Sequence, residues 1–337
     1  MDRESLIRRS YDIALAALLA GGVITGGGAA LAGLPKFANA LMPDMAAQAS
    51  TDASGQTALL LPDGFTPSRY APQVLYPVAA KPVPDWIARA KRAAHPEPVA
   101  PPANPVIAIC IDDLGADIAG TNRALTLPSA VAMSFLPYAA ETPRLAQIAA
   151  EQGHLVLAHV PMQAIGNRDP GPMALKPGMT ADEITGRLDW NLARVPGAVG
   201  VNNHEGSRFT ADEPGLVPVM ARLWEKDLFF FDSKTGARSK GESVARDMGV
   251  MTAGRDIFLD DVPGQEEVKR QLQALVRQAK RTGVAIAIGH PRDATLTVLK
   301  EWLEEDHGVS LVPLDEAMRL KASRRTVSGD SVATAVR

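Results

Sequence analysis

The chain has 337 residues, with 35 Lys and Arg against 38 Asp and Glu for a formal net charge of −3, and aromatic residues make up only 5% of it. This balance argues against a nucleic-acid partner, and the scarcity of aromatic side chains argues against a broad stacking platform for single strands or sugars. The single cysteine, Cys110, lies in an apolar run, so no intramolecular disulfide can form and the residue reads as core.

Residues 1–40 form a distinct segment. Arg3, Arg8 and Arg9 precede an apolar stretch from Ile13 to Leu34, which has about the twenty residues needed to cross a bilayer. Arginines on the N-terminal flank keep that end in the cytoplasm and send the rest across the membrane. Ala38-Asn39-Ala40 also fits a signal-peptidase site. Two outcomes are expected: a chain anchored in the inner membrane with its main domain in the periplasm, or a periplasmic or secreted protein after cleavage. Residues 41–104 are rich in Pro, Ala and Ser and read as a semi-rigid linker, with one short helix over Asp85 to Ala94.

From residue 105 to 320 the pattern alternates. Strands are expected at Val106–Ile111, Ala130–Phe135, Leu155–His159, Ala198–Asn202, Leu228–Phe231, Ile257–Leu259, Val284–Ile288 and Val309–Val312. They are short apolar runs with polar or Gly/Pro borders, as parallel strands buried on both faces should be. Helices fall between them. Thr180 to Glu183 and Thr210 to Glu213 each fit a capping box, and the helix after Pro263 carries Glu266 and Glu267 in its first turn. The alternation predicts an α/β domain with a parallel sheet, open or closed into a barrel. Residues 321–337 are polar and read as a disordered tail.

Active sites of such domains lie at the C-terminal edge of the strands. The residues there are Asp112-Asp113, His159, Asn202-Asn203-His204, Asp232 and His290. Each has an ordinary structural reading: a helix cap for either aspartate, a core hydrogen bond for His159, a surface ion pair for Asp232, a cap for His290. Against this, histidines 159, 204 and 290 all fall at strand ends, whereas His154 and His307 do not and read as structural. Aspartate and histidine together make a mixed O/N donor set suited to zinc or a neighbouring divalent ion. Three protein ligands would leave a position for water, and the second aspartate would be free to act as a base.

The motifs Ile-Asp-Asp-Leu-Gly, Gly-His-x-x-x-x-His-x-Pro-Met, Asn-Asn-His-x-Gly-Ser, Phe-Asp-Ser and Gly-His-Pro, in that order between Pro105 and Leu320, resemble the divergent polysaccharide deacetylase family. That family is a distant branch of the carbohydrate esterases with the nodulation-factor deacetylase fold. The resemblance implies a distorted (β/α) barrel with about seven parallel strands. It also implies a glycan substrate and a divalent metal, zinc. By that match Asp112 is the base, Asp113 and His159 are metal ligands, His290 is the acid and Asp232 orients catalytic groups. Arg208 lies near the place of an arginine that holds the base. The prototype members carry a second ligand histidine four residues after the first, where this chain has Gln163. His204 is the replacement expected as third ligand. Three functions follow: a metal-dependent deacetylase of envelope or extracellular polysaccharide, a catalytically inactive envelope glycan-binding or scaffold barrel, or another metal hydrolase acting on a phosphoester or amide.

Overall fold

The structure, a computed structural model, describes residues 104–334, with side-chain surroundings to residue 324, and a short antiparallel pairing of Ser50–Thr51 with Thr57–Ala58. That pairing belongs to a separate unit, Met1–Phe65, and the rest to Thr66–Arg337. The expected membrane segment, most of the linker and the short helix at 85–94 lie outside the described residues. Among the described residues no helix is long and apolar enough to cross a membrane.

The main unit alternates strands and helices. The strands are β1 (Val106–Leu114), β2 (Ala132–Phe135), β3 (Val156–Met162), β4 (Ala198–Glu205), β5 (Phe229–Asp232), β6 (Thr252–Gly254), β7 (Ile257–Phe258), β8 (Val284–Gly289) and β9 (Ser310–Leu311). The helices are α1 (Ile118–Ala124), α2 (Thr142–Glu151), α3 (Ala181–Ala193), α4 (Glu213–Glu225), α5 (Gly241–Asp247), α6 (Gln265–Thr282), α7 (Asp293–Trp302) and α8 (Leu314–Thr334). All pairings within the nine-stranded sheet are parallel, in the order β6-β5-β4-β3-β2-β1-β8-β7, with β9 added on β1. The path therefore holds eight strands where about seven were expected. The additional one is β6, whose Thr-Ala-Gly sequence carries little of the apolar signature of its neighbours.

The sheet is curled. Strands β6 and β7 sit at opposite ends of the hydrogen-bonded path, yet only Arg255 and Asp256 separate them in sequence. Three peptide links reach at most about 11 Å, so the two edges must approach one another. No ladder joins them. Asp256 holds the seam instead: its carboxylate accepts from the Ile286 N–H at 2.8 Å and from Lys321 Nζ at 2.7 and 2.8 Å, and Lys321 also donates to the Gly254 carbonyl. Helix α8 runs from Leu314 through Lys321 to Thr334.

Strand alternation divides the core into two layers. Ile107, Ile109 and Ile111 of β1 join Val156, Ala158, Val201, Phe230, Ala285 and Ala287 in the layer beneath the helices. Val106, Ala108 and Cys110 join Leu157, Phe229, Phe231, Ile286 and Ile288 in the layer enclosed by the curl, together with Leu314, Ala317 and Met318 of α8. Continuous apolar strands are thus explained by burial on both faces. Thr180 caps α3 with the full reciprocal box to Glu183. The second expected box is absent. Thr210 sits in a 3₁₀ turn and bonds the Gly206 carbonyl, and α4 starts after Asp212.

Gly200 on β4 faces the enclosed layer, where a Cβ would lie 2.3 Å from the Phe229 ring. Gly200→Ala should therefore destabilise the domain by about 1–3 kcal/mol through overpacking, measured by urea denaturation. Combining it with Phe229→Leu should recover part of that loss, as expected for two sites in contact. Asp256→Ala should cost somewhat less than the roughly 3–5 kcal/mol of a fully buried pair, because Lys321 retains 12% side-chain exposure.

Candidate active site

The inward positions continue past the apolar layer and become polar. In the enclosed layer, Cys110 leads to Asp112, Ala132 to Ser134, Leu157 to His159, Phe231 to Ser233, Phe258 to Asp260 and Ile288 to His290. On β4, Gly200 leads to Asn202 and His204, since Val201 faces the helices. A period of two at each strand end assembles one polar cluster.

Asp113 should face outward by that rule. It does not, because its φ is 61° and the β1–β2 register shifts between Ile111 and Leu114. The left-handed residue re-aims the chain so that both carboxylates reach the same space. Asp113 Oδ1 lies 2.9 Å from His204 Nδ1 and 3.2 Å from His159 Nε2. Neither contact has hydrogen-bond geometry, and this buried oxygen has no hydrogen-bond partner. One ligand atom from each of Asp113, His159 and His204 lies within 4.8 Å of the others. Tetrahedral zinc with bonds near 2.0–2.2 Å separates its ligands by about 3.3–3.5 Å. The three donors are close enough to hold a divalent ion.

Electrostatics agree. Burial alone would raise the Asp113 pKa, but the His159 and His204 imidazoles outweigh it and hold the carboxyl far below the ordinary range. Burial would likewise lower His159, yet Asp112 and Asp113 push it up to about 9. Such mutual dependence of base and acid is what a cation would relieve on displacing the protons.

Asn202, fully buried, organises the floor. Its Oδ1 accepts from Ser134 Oγ–H at 2.5 Å and faces His159 Nδ1 at 2.9 Å, while its amide donates to Asp112 Oδ1 at 2.9 Å and Ser233 Oγ at 3.2 Å. With Nδ1–H directed at Asn202, His159 presents the lone pair of Nε2 to the ion position. Asp112, 2% exposed, keeps Oδ2 free of hydrogen bonds, 3.7 Å from His159 Nε2. Across the cluster His290 Nε2 lies 3.7 Å from Asp113 Oδ2. Its Nδ1 is 2.8 Å from Asp260 Oδ1, and its backbone N–H and Thr295 Oγ both donate to Asp260 Oδ2. Burial would lower the His290 pKa, but Asp260 raises it.

The structure thus brings together Asp112, Asp113, His159, His204 and His290. Asp232 and Arg208 stand apart. Asp232 faces outward on β5 and accepts from the Lys234 and Glu242 backbones and the Ser239 hydroxyl, a structural duty at the start of α5. Arg208 is exposed beyond β4, and the guanidinium that acts on Asp112 by charge is that of Arg255, fixed by the Ser233 and Lys234 carbonyls. Asp260 and Tyr138 escaped the sequence reading, and Asn202, placed at this edge there, was given no role. Asp260-Asp261 follows the expected strand Ile257–Leu259 just as Asp112-Asp113 follows Val106–Ile111, which is a signal the sequence offers. The Tyr138 phenol is pushed up to about 12 by burial and by the Asp113 charge.

The family model for divergent polysaccharide deacetylases matches residues 109–318. An uncharacterized Escherichia coli protein, YibQ, is 36% identical over 195 residues, 58% of this chain and 61% of its own length. An uncharacterized Haemophilus influenzae protein is 36% identical over 197 residues, covering 58% of this chain and 70% of that protein. The crystal structure of the uncharacterized protein ATU2773 from Agrobacterium tumefaciens superposes with a TM-score of 0.63 at 27% identity, over 68% of this chain and 94% of that one. The matched span runs from Ile109 through the carboxylate pair, the three strand-end histidines and Asp260, and on that evidence the chain belongs to the divergent polysaccharide deacetylase family.

Proposed function

We propose that the protein is a metal-dependent deacetylase that removes N- or O-acetyl groups from an envelope or extracellular polysaccharide. The observation that supports this most is the buried Asp113 Oδ1, without a hydrogen-bond partner, facing His159 and His204, with the Asp112 carboxylate on one side and the His290 imidazole on the other. Asp113, His159 and His204 would hold the ion, and the two-nitrogen, one-oxygen set favours zinc. Bound there, the ion supplies Lewis acidity toward water and toward an acyl oxygen.

The rest is done by side chains of this chain. Asp112 Oδ2 takes the proton of the attacking water, while Asn202 holds Oδ1 so that the other lone pairs face the reacting space. His290 Nε2 returns a proton to the leaving amine or alcohol. Asp260 fixes the ring through Nδ1 and keeps the protonated form populated. The basic N-terminal flank and apolar stretch of residues 1–40 fit an exported location, where such a polysaccharide lies. A barrel that binds glycan without turnover would not require a free carboxylate beside its ligand set, and retention of Asp112 favours the enzyme.

Asp113→Ala, His159→Ala and His204→Ala should each lose stoichiometric zinc, measured on the purified protein, with circular dichroism unchanged. Asp112→Asn should retain zinc and lose acetate release by about 10²–10⁴-fold. Zinc loss in Asp112→Asn with retention in Asp113→Asn would reverse the two roles, and zinc binding with no acetate release from any acetylated glycan would leave the non-catalytic reading.

A positioning role for Asp260 predicts a shift in pH dependence. An acid must be protonated, so activity falls as pH rises through its pKa. Asp260→Asn removes the charge that raises His290, so the alkaline limb of kcat/KM should move to lower pH and kcat should drop by about 10–100-fold. A fall in kcat with the limb unmoved would assign Asp260 a structural role only.

A further inference from the structure

Beyond the metal ligands a groove of about 880 Å³ opens at the same edge of the sheet, between the loops that follow β3, β4 and β5. Its charged lining is Arg208, Arg238 and Lys240 against Asp212. Lys240 is 3.5 Å from Glu213, in an exposed pair. Arg208 and Arg238 are exposed, and neither side chain has an ion-pair or hydrogen-bond partner among the described residues.

The backbone that carries these two arginines is, in contrast, tightly fixed. Glu205, at φ 53°, turns the chain at the end of β4. The N–H groups of Arg208 and Phe209 then both donate to the Gln163 carbonyl at 3.0 Å, and Ser207 Oγ accepts from the Ile165 N–H at 2.9 Å. The second loop is fastened to the first. The Glu205 carbonyl accepts from Thr235 Oγ at 2.6 Å, a Cβ on Gly236 would lie 3.1 Å from Ser207, and the Lys240 N–H donates to the Thr210 carbonyl at 2.7 Å. Asp232, 1% exposed, anchors Ser239, the neighbour of Arg238, at 2.7 Å. Two uncommitted guanidinium groups on fixed loops, one of them four residues past His204, are placed to receive an anion.

We propose that this groove is a subsite for an anionic group of the glycan, a carboxylate or a phosphate held by Arg208 and Arg238, and that the substrate is therefore an acidic polysaccharide. The inference rests on the deacetylase reading for the identity of the bound polymer, but its test does not depend on turnover.

Calorimetry with the zinc-loaded protein would compare three N-acetylated tetrasaccharides of equal length: neutral, carboxylate-bearing and phosphate-bearing. At least one anionic oligomer should bind about tenfold more tightly than the neutral one at low salt, and the difference should shrink at high salt. The pair Arg208→Gln with Arg238→Gln should abolish the preference, so that all three oligomers bind alike, whereas Arg208→Lys with Arg238→Lys should keep part of it. Equal binding of all three oligomers to the wild-type protein, or a preference unchanged in the glutamine pair, would overturn the subsite. Acetate release from the neutral oligomer alone would overturn it and leave the deacetylase standing. Arginine-dependent binding of an anionic oligomer with no acetate release would keep the subsite and remove the deacetylase reading.

Discussion

One backbone angle governs the site. Consecutive strand residues point to opposite faces, so a strand can deliver only one of two adjacent carboxylates to an enclosed space. The left-handed Asp113, at φ 61°, breaks that rule. A non-glycine residue there costs roughly 1–3 kcal/mol, with aspartate among the more tolerant types. The surrounding pairings, β1 with β2 on one side and β8 on the other, fix the strand up to Ile111 and leave the kink no freedom to relax. The outcome is two carboxylates in one pocket that differ in environment. Asp112 is held on one oxygen by Asn202, and Asp113 lies between two imidazoles. Such a difference is what would let two identical side chains take the two roles proposed for them.

Much of this is legible in the sequence, and the reason is the strand period. Apolar runs marked most strands to within a few residues, and the residues ending them were the residues that meet. The failures have physical causes. Strand β6 is three residues long with Thr, Ala and Gly, and is held by its neighbours rather than by its own propensity. The box at Thr210 was undone by the Gly206 carbonyl, which claimed its hydroxyl. Asp232 follows the same apolar pattern as Asp112 but falls on the opposite parity: Phe231 faces inward, so Asp232 faces out. Parity on a four-residue strand depends on knowing whether the middle phenylalanine or the outer two are enclosed, and the sequence Phe-Phe-Phe cannot tell.

Asp232 still bears on the groove beside the site. By holding Ser239 and the start of α5 it sets the loop that carries Arg238, while the β4 turn sets Arg208. The arginine expected to steady the base is displaced outward, and Arg255 takes the place near Asp112 because it belongs to the link between β6 and β7 that closes the curl. The seam is thus structural and electrostatic at once: Asp256 ties its backbone, and the adjacent Arg255, held by the Ser233 and Lys234 carbonyls, brings a positive charge toward Asp112.

The glutamine at 163 takes on a different meaning in this geometry. Strand β3 stays extended through Met162, and the Gln163 N–H continues the pairing to the Leu175 carbonyl at 2.9 Å. Four residues along an extended strand advance about 13 Å, with side chains roughly perpendicular to it. Ligands of one zinc ion lie only about 3.3–3.5 Å apart. A histidine at 163 would therefore stand too far from His159 to share an ion while this strand persists. His204 has no such difficulty. It lies on the neighbouring strand, in register with Pro161, and its Nδ1 reaches the Asp113 oxygen that His159 also faces. The extended strand accounts for both observations: position 163 is free to be glutamine, with its carbonyl anchoring the Arg208 loop, because the third donor beside Asp113 and His159 is presented from β4.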